Sequence, residues 1–153
     1  MNIMIYGNSG SGKTTLGKIL ARHGYVHINT GEITRMMAAM DCHNLPVIVQ
    51  SMVESMDKNK SHCFDHFYIH TYKQLRDLGM CPLVVELVDK RSITHANNIK
   101  RDRWITQSGK IEAFFECAVV ERVKVYNTDY GFDLSELIKR GYLPFDTFAM
   151  EEP

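Results

Sequence analysis

Near the N-terminus the chain runs Gly7-Asn8-Ser9-Gly10-Ser11-Gly12-Lys13-Thr14-Thr15, the densest concentration of chemistry it carries. Gly7, Gly12, Lys13 and Thr14 fall on the spacing G-x-x-x-x-G-K-[ST]. Gly7, Gly10 and Gly12 allow backbone conformations that side chains forbid, so successive amides can turn inward around an anion. A helix starting just after them adds the positive end of its dipole. Lys13 would place a point charge on the β- and γ-phosphates of a nucleoside triphosphate, and the Thr14 hydroxyl would ligate the accompanying Mg²⁺. Asn8, Ser9, Gly10, Ser11, Gly12, Lys13, Thr14 and Thr15 are thus the expected contacts of bound ATP. At ordinary glycine usage this pattern arises by chance on the order of once in a few hundred chains.

Phosphate loops of this kind need a carboxylate at the end of a neighbouring strand. Asp65, closing His62-Cys63-Phe64-Asp65, is the candidate for the Mg²⁺ shell and, with Lys13, for a catalytic role. Glu86 and Asp89 are its rivals on the following strand. His62, His66 and His70 lie four apart, but around a strand end and turn rather than on one helix face, which argues against a metal set.

These groups need a scaffold that brings strand ends together. Apolar runs predict strands at 2–6, 25–28, 62–65, 82–88 and 123–126. Helical spacing predicts helices at 13–23, 31–40, 47–56, 72–78, 90–103, 112–120 and 134–139. Met36, Met37, Met40, Met52 and Met56 sit at helical spacing and read as core. Strands alternating with helices imply an α/β three-layer fold, a five-stranded parallel sheet with helices on both faces and ligands at the strand C-termini.

The chain has 153 residues, which suits a single domain over 1–153. Hydrophobic residues make up 44% and charged residues 24%, ordinary for a globular protein. Eighteen basic and eighteen acidic side chains cancel, so net charge does not mark a nucleic-acid partner. Cys42, Cys63, Cys81 and Cys117 are widely spaced and read as reduced thiols. With no leader pattern and no apolar stretch of about 20 residues, the expectation is a cytoplasmic protein without a membrane span.

The segment Tyr25–Arg35, YVHINTGEITR, adds a second motif. It resembles the acceptor segment of nucleoside monophosphate kinases, best known from adenylate kinase, where a strand ends in His-Ile-Ser-Thr-Gly-Asp and an arginine follows four residues after the glycine. Thr30, Gly31, Glu32 and Arg35 fall on that pattern, at a similar distance from the phosphate loop. The resemblance implies an acceptor-binding helical insert over about 31–60 and a short lid over about 100–112. It also implies that Thr30, Gly31, Glu32, Arg35 and His66 face the acceptor. Arg101 and Arg103 would close on the donor phosphates as catalytic cations, and Asn127 would lie beside the donor adenine. A cation such as Arg35 is what an acceptor phosphate requires.

The chain departs from that family after the third strand. Where the family has Asp-Gly-Phe-Pro-Arg, this sequence has Asp65-His66-Phe67-Tyr68-Ile69. The second phosphate-clamping arginine is replaced by Ile69, and only the shifted Gln74 could read an adenine. Three functions therefore stay open. One is transfer of the ATP γ-phosphoryl to a nucleoside monophosphate or modified nucleotide, which needs positioning and charge neutralisation. Another is transfer to a hydroxyl, on a DNA end, a hydroxymethylated base or a small metabolite, with Asp65 or Glu32 as base. The third is nucleotide-dependent binding without catalysis. Composition and motifs do not specify the oligomeric state.

Overall fold

The computed structural model describes residues 1–7, 11–54, 56–67, 69–89, 111, 113–116 and 120–151. The expected lid and helix 90–103, with Arg101 and Arg103, lie outside them apart from residue 111, as do Asn8, Ser9, Gly10 and Cys117. In chain order the elements are β1 (Asn2–Gly7), α1 (Lys13–Arg22), β2 (Val26–Ile28), α2 (Thr30–Ala39), α3 (Leu45–Glu54), β3 (His62–Phe64), α4 (Ile69–Asp77), β4 (Leu83–Asp89), β5 (Arg122–Thr128), β6 (Gly131–Asp133), α5 (Ser135–Lys139) and β7 (Met150–Glu151). Residues 113–116 are also helical.

The strands form one sheet in the order β2-β3-β1-β4-β5-β6-β7. The first five are parallel, as the alternating pattern implied. The sheet is nonetheless larger than expected: β6 and β7 extend it antiparallel beyond β5, giving seven strands among the described residues rather than five. The extension begins with a tight turn. Thr128 Oγ1 donates to Gly131 O at 2.8 Å and accepts from Tyr130 N–H at 3.2 Å. Gly131 takes φ of 119°, which side-chain-bearing residues avoid. The added strands have three and two residues, too short for periodicity to register.

Both sheet faces are covered, so alternation along β1 sorts its residues into two cores. Ile3 and Ile5 pack with Leu16, Ile19 and Leu20 of α1 and with Leu137 of α5. Met4 and Tyr6 pack on the other face with Ile48, Met52, Tyr72 and Leu75 of α3 and α4. Only part of the methionine stripe is core. Met52 is buried and Met37 and Met56 pack at its margin, whereas Met36 and Met40 lie on the exposed side of α2. A stripe of long apolar side chains registers the helix, but the width of the face actually covered depends on the neighbour.

The strand order also dictates the position of any site. β3 lies between β1 and β2, so the chain leaving β1 crosses over it to reach β2. Phe64, the last residue of β3, stands opposite Met4 of β1 and Ile28 of β2. The segments leaving the C-terminal ends of β1, β2 and β3 therefore emerge at one edge, where ligands of open α/β sheets bind.

Candidate functional site

The loop after β1 turns into α1 at Gly12, which has φ of 100° and N-caps the helix without a side-chain bond. Gly12 meets two demands at once. Its left-handed backbone disfavours a side chain, and a Cβ there would lie 3.1 Å from both Asn127 Nδ2 and Phe132 Cζ. Gly7 is similarly confined: its Cβ would stand 2.8 Å from Leu87 O and 2.9 Å from Ser11 Oγ. β5 and β6 thus close the underside of the loop. Asn127 Nδ2 donates to Ser11 O at 3.0 Å and ties β5 to the loop backbone. The asparagine expected beside the donor base commits this amide to the loop. Asn127→Ala is expected to lower stability by about 1 kcal/mol and to weaken ATP binding. Thermal melts and calorimetry check this, and unchanged values of both would leave Asn127 without a role in the loop.

Ser11 Oγ is fully buried and has no hydrogen-bond partner among the described residues. Such an orphaned hydroxyl, in a glycine cradle at the head of a helix, fits an incoming phosphate oxygen. Lys13 Nζ donates to Gly7 O at 2.8 Å, bent back across the loop. Burial lowers the Lys13 pKa, and the negative charge of Asp65 works against that fall.

Asp65, one residue beyond β3 and 4% exposed, is the centre of the site. Four donors converge on it. Thr30 N–H and Thr30 Oγ1 bond Oδ1 at 3.0 and 2.8 Å. His27 Nε2 meets Oδ2 at 2.9 Å, and Thr14 Oγ1 meets the same oxygen at 3.3 Å. An ionised carboxylate only accepts, so His27 presents a protonated Nε2. Burial acts to raise the Asp65 pKa, but the bonds from His27 and Thr30 outweigh it and hold the carboxyl below its ordinary value. Thr14 and Asp65, the two expected metal residues, are thus adjacent in space. The rival Glu86 lies within β4, opposite Tyr6 of β1.

On the acceptor side, Asn29 caps α2 by accepting Glu32 N–H at 3.0 Å. Thr30 is buried against Asp65, so its hydroxyl proton faces the carboxylate. Gly31 is partly buried, while Glu32 and Arg35 are exposed on α2, with Arg35 Nη1 3.7 Å from the place of a Gly31 Cβ. His66 follows Asp65 and is half-buried. Burial, with the Lys13 charge adding to it and Asp65 opposing, brings its pKa down to about 4, so the imidazole is neutral at physiological pH. Ile69 opens α4, and Gln74 lies on the same helix. His62 Nε2 instead accepts Asp57 N–H at 3.1 Å, and His70 is exposed on α4.

His27 falls on the histidine that opens the acceptor-segment pattern, but its role toward Asp65 is not marked in the sequence. As a single polar residue in a short strand it gives no periodic signal, and its partner stands 38 positions away. A second clue is Gly17, an otherwise unexplained glycine inside a helix.

No protein-family model and no curated protein sequence matches the chain. In three dimensions it is similar to a gluconokinase from Sinorhizobium meliloti, with a TM-score of 0.51 and 18% sequence identity over 90% of this chain and 87% of that one. At that identity the likeness establishes the fold alone: this is an α/β chain that shares the fold of that structure. No helix among the described residues is long and apolar enough to cross a membrane.

Proposed function

We propose that this chain is an ATP-dependent phosphotransferase, a small P-loop kinase whose acceptor is a nucleoside monophosphate or modified nucleotide. The observation that carries the reading is the meeting of Thr14 and Asp65 at the head of α1, beside Lys13 and the buried Ser11 hydroxyl. Thr14 and Asp65 would hold Mg²⁺, which when bound neutralises charge on the transferring phosphates. The chain's own groups do the rest. The loop amides and Ser11 fix the donor phosphates, Lys13 neutralises them, and α2 presents Arg35 to the acceptor.

A second reading, transfer to a hydroxyl, draws on three observations. Ile69 stands where the resemblance expects a phosphate-clamping arginine. The half-buried His66 is neutral and contributes no second cation. The fold neighbour is named for gluconate rather than for a nucleotide. In either case Asp65 is a poor general base: four donors already occupy its oxygens, and its pKa is depressed.

The deciding experiment offers nucleoside monophosphates, nucleosides, DNA ends and gluconate to the protein with labelled ATP. Label entering a monophosphate supports the first reading, and label entering only hydroxyl compounds supports the second. Absence of ATP binding and of any transfer would exclude both.

Arg35→Ala tests the acceptor assignment. Loss of a charge-assisted contact worth about 1.5–3 kcal/mol should raise the acceptor KM tenfold or more. The KM for ATP should stay near wild type. Equal effects on both constants, or none, would remove Arg35 from the acceptor site.

A further inference from the structure

A helix interior is a poor place for glycine, because the unfolded chain then has more backbone freedom to lose. Gly17 nevertheless occupies the second turn of α1, where it is buried. The reason lies in β2. A Cβ at Gly17 would stand 2.6 Å from His27 Nε2, 2.9 Å from Cδ2 and 3.1 Å from Cε1. The imidazole therefore fills the volume that any other side chain at position 17 would claim.

From that slot His27 reaches Asp65 Oδ2 at 2.9 Å, with 13% of its side chain exposed. Both Thr30 bonds fall on Oδ1. On Oδ2 the remaining donor, Thr14 Oγ1, is more distant at 3.3 Å. A carboxylate held at one oxygen can still turn about its final torsion, which is broad and soft. The short contact from His27 is what fixes the second oxygen and so the plane of the group.

We propose that His27 is a positioning residue of the donor site: seated by the absent side chain of Gly17, it orients the Asp65 carboxylate that works with Thr14 toward the divalent cation of the nucleoside triphosphate. This rests on Thr14 and Asp65 being the metal residues of the proposed kinase. His27 touches neither phosphate nor cation and acts only through Asp65. Gly17 and His27 form one device, since a methyl group at position 17 would displace the ring. Hydrogen-bond partners behind a ligating group typically change metal affinity by about 10–100-fold when removed.

The test is ATP affinity measured by calorimetry, with saturating Mg²⁺ and in EDTA, for wild type, His27→Leu, His27→Gln and Gly17→Ala. In His27→Leu the gain in affinity conferred by Mg²⁺ should shrink by about tenfold or more, while affinity in EDTA stays close to wild type. His27→Gln can place an amide N–H near the Nε2 position and should retain most of the gain. Gly17→Ala should behave as His27→Leu does, and combining the two should cost no further Mg²⁺ dependence. A merely structural role would lower melting temperature and weaken binding equally in Mg²⁺ and EDTA, which would overturn the proposal. So would a wild-type Mg²⁺ gain in either His27→Leu or Gly17→Ala. Should His27→Leu not fold, Gly17→Ala and His27→Gln decide the matter between them. A wild-type protein that binds ATP equally well without Mg²⁺ would instead remove the assignment of Thr14 and Asp65, and this inference with it.

Discussion

Lys13→Ala is expected to abolish phosphoryl transfer and to leave the fold intact. Lys13 lies in the first turn of α1, and its ammonium points back over the loop to Gly7 O rather than into either core. Truncation therefore removes the exchangeable hydrogen bond to Gly7 O, worth about 1 kcal/mol. Its catalytic cost is of another order. Taking one preorganised charge from the developing phosphoryl transition state costs about 10²–10³-fold or more in kcat. Lys13→Arg should recover little, since the branched guanidinium cannot occupy the site of a compact ammonium. The measurement is kcat with ATP, alongside circular dichroism and thermal melts for each variant. A folded Lys13→Ala protein retaining more than about a tenth of wild-type turnover would show that the loop is not the donor site, given the effect of one such charge.

Asp65→Asn is expected to be the second most damaging change, and its pattern separates a cation-holding role of Asp65 from a general-base role. The amide can keep its oxygen on the two Thr30 donors and turn its nitrogen toward His27, whose ring can accept in its other tautomer. The variant should therefore fold, with stability reduced by about 1–3 kcal/mol. If Asp65 acts through the cation alone, part of the lost activity should return with Mn²⁺, which tolerates poorer ligand sets. If it also took the proton of an acceptor hydroxyl, the loss would be about 10²–10⁴-fold and no change of metal would restore it. The saturated hydrogen bonding of Asp65 leads us to expect Mn²⁺ rescue and a wild-type pH–rate profile that is flat through the carboxylate range. A clear acidic limb that vanishes in an unrescued mutant would assign Asp65 as base.

The same residue carries a pH dependence of folding. Its folded-state pKa lies below the ordinary carboxylate value. A depressed carboxyl contributes stability that is fully present above its unfolded pKa of about 4 and is lost as pH falls through the folded value. Wild type should therefore lose stability in acid more steeply than Asp65→Asn, which has no proton to take up at that position. Urea titrations from neutral pH downward measure the difference, and parallel curves would contradict the assigned shift.

The phosphate loop was readable because its chemistry is local. Gly7, Gly12, Lys13 and Thr14 act through spacing along one loop, and that spacing is visible in one dimension. The parallel core was readable for a related reason. Strands buried on both faces appear as apolar runs, and a helix between each pair requires a parallel crossover. Thr30 and Arg35 were marked by a short motif, yet their places differ: Thr30 turns inward to Asp65 while Arg35 stays on the exposed side of α2.

What only the tertiary structure decided concerns groups far apart in sequence. The strand order sets β3 between β1 and β2 and so brings Thr14, His27, Thr30 and Asp65 to one point. Periodicity specifies an element and its buried face, but carries no information on which element becomes its neighbour. The short β6 likewise left no pattern, although its Phe132 closes the underside of Gly12. The vacancy at Gly17 acquires meaning only once β2 lies against α1 and His27 fills it. A missing side chain records that something must fit there, and only packing identifies what does.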